Sequence, residues 1–389
     1  MMMKNIFKIF VSLLLFTSCV NYNDATQETT VNIQLLQPTD YETTVDLTGK
    51  TVTATRGTVT LTSKTDANGI ATFTGIAPDE YSFSTSWALS QKETLSGSIS
   101  TTMITGETTL DMPTQVAINR DLVIGKIYFA GSKDNNNKNY VAGKFIELFN
   151  QSDDSIDVSG LYLGIVESES TPAYTQENLK TAYNDSVVLL KQIYRIPVNA
   201  NKKVAPGGTI LIVNSAIDHT TNNSMDHNLL DADFEVKDVQ GKYQNNPETP
   251  AMEVIYNIYT GTSIMNMLQN GLGSYIIFRT DEDPTSWPKT YKYGKTSGNE
   301  WIVAPTRYIL DGVECMRNST KGFDLTTKRL WDYIDAGYTY IQSTTGYSGE
   351  IIYRKTSKTL NGHKILVDTN NSSNDFQVSK TIGTRNYDE

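Results

Sequence analysis

The chain has 389 residues, of which 38% are hydrophobic and 10% aromatic. That is enough apolar material for packed cores, so a disordered polypeptide is excluded. A net charge of −10 with an isoelectric point near 5.0 argues against nucleic acid as a partner, because phosphate binding needs clustered Lys and Arg and no such cluster occurs.

Lys4 and Lys8 give a short basic start, residues 9–16 (IFVSLLLF) form an apolar run, and the small residues Thr17 and Ser18 lead into Cys19. That order is the layout of a secretory signal peptide. The run is far shorter than the roughly 20 residues needed to span a bilayer. Phe16, Thr17, Ser18 and Cys19 together resemble a bacterial lipobox, with Phe16 where Leu is more usual. The resemblance implies a lipoprotein signal peptide over 1–18, an acylated Cys19, and a polar tether over 19–28. Asp24 and Glu28 are weakly similar to the acidic export tag of Bacteroidetes surface lipoproteins. With Cys19 assigned to lipid, Cys315 lacks a thiol partner, so neither an intramolecular disulfide nor a cysteine zinc site is expected.

Beyond the tether, short runs of period-two alternation recur between Gly, Asn, Asp and Pro clusters, which predicts an all-β chain of stacked sheets. Only two short helices are expected, over 176–183 and 262–269, the second with Thr262 or Ser263 as its N-cap. The first domain is placed at 29–116. Val31, Ile33 and Leu35 alternate with polar residues, as do Val52, Ala54, Val59 and Leu61. Asp66, Asn68 and Gly69 make a turn, because Gly tolerates positive φ and Asx side chains cap local backbone. Ala71 and Phe73, then Tyr81 and Phe83 after the Pro78–Asp79 turn, point to one face. The stretch 65–86 resembles the transthyretin-like sandwich of carboxypeptidase regulatory-like domains, with Asp79 where that family's last turn has Gly.

The second domain is placed at 121–381. Within 145–163 (FIELFNQSDDSIDVSGLYL) an alternating strand ends in a turn at 150–155, and Ile156 and Val158 re-enter the core. Segments 204–213 (VAPGGTILIV), 273–278 (GSYIIF), 309–313 (ILDGV) and 368–376 (DTNNSSNDF) follow in order. Together they resemble a lamin-tail domain, an immunoglobulin-like β-sandwich, expanded by insertions at 164–203, 215–270 and 281–304. The whole is similar to an uncharacterised Bacteroidales lipoprotein family of the domain of unknown function 4876 type. The fold expected is therefore two β-sandwich domains in tandem.

No catalytic constellation stands out. His219 and His227, among Asp218, Asp226, Asp231 and Asp233, match no short-range zinc spacing and read as a solvated polar loop. No nucleophile elbow occurs. The pair Asp153–Asp154 and the run 281–283 sit in turns, where acidic residues face water. Cys315, in the alternating run 308–316, reads as a buried thiol. What does stand out is aromatic loading, with 22 Tyr in the chain and several in the insertions, where Tyr and Trp can anchor an interface. Trp287 and Tyr291, flanking Pro288 and Lys289 in a segment too polar for core, are the candidate binding surface. No metal and no cofactor is expected.

The function expected is a non-catalytic binding module, lipid-anchored in the outer membrane and facing the cell surface, beside a TonB-dependent transporter. Its ligand is unspecified. The alternatives are a secreted degradative hydrolase with an accessory lamin-tail-like domain, and a purely adhesive or structural envelope protein.

Overall fold

The computed structural model describes residues 28–388 apart from 40, 42, 58, 90–92, 119–120, 169–173 and 222. The expected signal peptide 1–18, the lipidation site Cys19 and almost all of the tether 19–28 lie outside the described residues. The chain is all-β, as its alternation predicts, and divides into two compact units. Of the described residues, the smaller takes in 28–35, Leu47–Phe83 and Ile99–Met112, and the larger holds Leu36–Asp46, Ser84–Ser98 and 113–388.

In the smaller unit Thr29–Leu35 is the middle strand of three, antiparallel to Ile70–Ile76 and parallel to Thr108–Met112. Its alternate residues Val31, Ile33 and Leu35 are buried with Val52, Ala54, Ala71 and Phe73. Phe83 stacks on Tyr81 and tilts against Phe73. The turn between strands forms as its residues dictate. Asp66 Oδ1 accepts from the backbone N–H of Asn68 (2.8 Å) and of Ile70 (3.0 Å), and Gly69 takes φ +78°. Val59 departs from the alternation, being exposed on the strand Val59–Lys64.

The larger unit contains two main sheets. The first runs in the order Phe234–Glu235, Thr209–Val213, Phe145–Asn150, Leu122–Tyr128, Ile351–Arg354, Phe376–Ser379. The second runs Lys289–Thr290, Trp301–Pro305, Val187–Arg195, Tyr162–Val166, Gly273–Phe278, Ile309–Cys315, with Glu253–Asn257 also paired to Val187–Arg195. Ile127, Leu148 and Ile212 of the first sheet share one buried cluster with Leu163, Ile165, Ile277 and Val313 of the second. The opposite face of the second sheet, with Tyr162, Leu190, Ile276 and Phe278, is covered by Leu179, Trp287, Leu330 and Trp331. Burial on both faces is why these strands read as continuous apolar runs. The P-G-G turn at 206–208 is also physical: Gly207 adopts φ +71° and donates its N–H to Asn150 O at 2.8 Å.

The helix expected at 176–183 forms as Gln176–Tyr183, capped by Thr175. The helix expected at 262–269 does not. That segment is irregular, and its backbone is held by side chains from both sheets instead. Gln192 donates to Ile264 O and accepts from Asn266 N. Asn214 exchanges two bonds with Met265, Tyr194 donates to Ser263 O, and Lys144 Nζ donates to Met267 O at 2.6 Å. Groups that a helix would pair internally are thus satisfied from outside while Ile264, Met265 and Met267 are buried; tertiary context overrides local propensity. The segments expected as insertions are likewise not loose loops, since 164–203 contains the strand Val187–Arg195 and 281–304 most of Trp301–Pro305.

Candidate functional site

An open cleft of about 970 Å³ lies over the ends of the second sheet's strands in the larger unit. Its walls include Ser159, Gly160 and Tyr162 where Tyr162–Val166 begins, Arg195 at the close of Val187–Arg195 with Val198 just beyond, Val254 and Ile255 of Glu253–Asn257, residues 279–285 after Gly273–Phe278, and Tyr308. The run 281–283, read as a solvated turn, forms the cleft's acidic lip.

Two arginine-capped aromatic stacks build the walls. Tyr162 lies on Phe278 with centroids 4.8 Å apart and planes at 12°, and the Arg195 guanidinium sits over the same ring at 5.6 Å. Arg195 is fixed by donating Nε–H to Glu253 at 2.5 Å and Nη1–H to Tyr162 Oη at 3.2 Å. Tyr308 lies parallel to Trp287 at 5.7 Å and 3°, with the Arg307 guanidinium 4.5 Å above it. Phe278 meets Trp287 at 5.9 Å and so joins the two stacks. Glu282 clasps the far end, accepting from Trp287 Nε1 at 2.6 Å, from Tyr308 Oη and from Arg307 at 3.2 Å. Hydrogen bonds from Tyr308 and then Trp287 hold its carboxyl below the usual range. Asp283 is held low in the same way by the Thr285 N–H it caps.

Arg279 is different. Its guanidinium donates to Ser159 O at 3.0 Å and to Asp157 O, both neutral carbonyls. Burial pushes its pKa down while the Asp157 carboxylate pulls it up, but a guanidinium stays protonated regardless. Among the described residues no carboxylate lies within ion-pair distance of it.

The residues singled out from sequence fall as follows. Trp287 is not exposed: it is 7% accessible and part of the cluster behind the second sheet. The local polarity of 281–292 misled because the indole is buried by Phe278 and Tyr308, which are distant in sequence. Tyr291 is half-buried and does not line the cleft. The His219/His227 loop is not the solvated loop its Asn and Asp content predicts. His219 is buried, with Nδ1 2.6 Å from Tyr140 Oη and Nε2 2.8 Å from Ser215 O. Buried Asp226 accepts from Ser132 Oγ at 2.8 Å. Burial holds the His227 imidazole below its ordinary pKa. Among the described residues no group of three or more His, Cys, Asp or Glu is placed to hold a metal ion. Cys315 is buried and its thiol pKa is pushed well up by burial. Tyr162, Arg195, Arg279 and Tyr308 were missed; their only signal in the sequence is an aromatic–arginine adjacency at strand ends.

The fold defines a class, an all-β protein of multiple packed sheets with no helix, among the described residues, long and apolar enough to cross a membrane. Residues 205–382 match the family model described as "Protein of unknown function (DUF4876)", which bears out the resemblance to the domain of unknown function 4876. The chain is also similar in fold to the crystal structure of a DUF4876 family protein from Bacteroides thetaiotaomicron VPI-5482. That likeness has 23% identity and a TM-score of 0.58, covering 90% of this chain and 94% of that one. A DUF3823 family protein from Parabacteroides merdae ATCC 43184 aligns at 9% identity and a TM-score of 0.17, over 43% of this chain and 90% of its own. No curated protein matches the chain.

Proposed function

We propose that this protein is an outer-membrane lipoprotein, anchored through Cys19 and facing the cell surface, that works as a non-catalytic binding module beside a TonB-dependent transporter, with the cleft as its ligand site. The observation that carries this reading is the cleft itself, about 970 Å³ of open space built over strand ends. Sites on such elements hold their geometry without reorganising. Hydrogen bonds from Tyr308 and Trp287 favour the ionised form of Glu282, which suits holding a ligand better than passing a proton. The lipid anchor rests on the lipobox-like run that ends at Cys19.

The test has two arms. Radiolabelled palmitate is expected in the mature wild-type chain and absent from Cys19→Ala, and a channel protein is expected to co-purify from an outer-membrane extract. An unlabelled mature chain removes the anchor, and an envelope scaffold in place of a channel favours the adhesive role.

A further inference from the structure

The cleft's rings speak against a sugar or a flat cofactor. Recognition by stacking needs an open aromatic face. Tyr162 is buried, stacked on Phe278 and contacted by the Arg195 guanidinium, and Tyr308 is stacked on Trp287 with the Arg307 guanidinium 4.5 Å from its centroid. Both rings are already engaged within the protein.

What the cleft does offer is aliphatic surface and separated charges of both signs. Val198 is 63% exposed and Val254 44%, a high degree for branched aliphatics on an ordered surface. Ile255 beside them is the extra residue of a β-bulge: Ile193 pairs with Tyr256 and Tyr194 with Val254, leaving Ile255 unmatched. A bulge re-aims side chains locally, and here both Val254 and Ile255 reach the same cleft. Arg279 contributes a positive charge that, among the described residues, is hydrogen-bonded only to carbonyls. The exposed Asp281 and Asp283 contribute negative charge at the lip. A neutral oligosaccharide answers neither charge, and a purely anionic ligand is repelled by the lip. A single amino acid carries the right groups but leaves most of the 970 Å³ to water.

Resting on the reading of the cleft as the ligand site, we infer that it takes an extended polypeptide segment of a partner protein. An acidic side chain of that segment meets Arg279, an aliphatic one packs on Val198 and Val254, and a basic one meets the lip at Asp281. Enclosed arginine–aromatic stacks then act as rigid walls, and their fixed geometry lowers the ordering cost of binding.

The experiment selects a displayed library of random peptides against the full chain and titrates resynthesised hits by calorimetry into wild type, Arg279→Gln and Val254→Asp. The expected hits share a carboxylate, an aliphatic and a basic residue. Both variants weaken them tenfold or more at an unchanged thermal unfolding midpoint. Should Arg279→Gln lower the midpoint, Val254→Asp, a change at a solvent-facing position, carries the test alone. Hits that bind both variants as they bind wild type, or a library that yields none, overturn the inference. An oligosaccharide array is run in parallel. A glycan whose binding Val254→Asp abolishes overturns the polypeptide assignment but leaves the cleft as the ligand site; no binding of either probe class that responds to these variants overturns both.

Discussion

Two arginines in the larger unit show what separates scaffold from site. Arg354 is fully buried, yet every part of its fork is answered. Nη1 faces Asp375 at 2.9 Å and Asp368 at 3.3 Å, Nη2 faces Asp311 at 3.2 Å, and Nε donates to Ile124 O at 3.0 Å. Asp311 also accepts from Ile124 N at 2.7 Å, so the network ties the two sheets together. Arg279 sits at the cleft with two carbonyls and no ion-pair partner among the described residues. A buried charge cannot persist without its partners, whereas one at an open cleft can wait for a ligand.

Breaking the network should have the largest effect. Arg354→Met leaves buried carboxylates unpaired and is expected to cost about 3–5 kcal/mol, measured by urea unfolding. A loss under about 1 kcal/mol would show that the network is not structural. Next is Trp287→Ala, which removes a buried ring from between Phe278 and Tyr308. It is expected to cost about 3 kcal/mol, against under about 0.5 kcal/mol for a solvent-facing residue.

Lys144 sharpens the comparison through pH. Burial, then the neighbouring Lys191, pushes its amine down to about 7 from the ordinary 10.5. Between those values the unfolded chain binds the extra proton, so stability rises with pH across the window and falls again as pH drops toward about 7. Lys144→Met loses the bond to Met267 O but no longer titrates, so its stability relative to wild type should be highest near neutrality and decline toward the ordinary lysine pKa. Urea midpoints in neutral and alkaline buffers check the slope, and a pH-independent gap contradicts it. The smallest effect is expected at Asp281→Asn, which leaves stability within about 0.5 kcal/mol because the residue is exposed.

The strands and their turns were legible because each signal is local. Val31, Ile33 and Leu35 alternate, Asp66 caps its own turn, and Gly207 relieves a positive φ. Where the sequence misled, distant groups decided. Residues 262–269 carry helical spacing, but Gln192, Asn214 and Lys144 capture their backbone. Trp287 sits among polar neighbours, but Phe278 and Tyr308 bury it. His219 lies in an Asn- and Asp-rich loop, but Tyr140 and Ser215 close over it. The cleft was legible only as an acidic turn at 281–283, since Arg195, Arg279 and Tyr162 meet through strand pairing that no spacing encodes.

The most direct measurement is amide hydrogen exchange of the full chain with and without a selected peptide. Protection gained at 253–257 and 279–285, and nowhere else of similar size, is what capture in the cleft requires. Exchange unchanged in those two segments, or slowed instead at a remote surface, would contradict it.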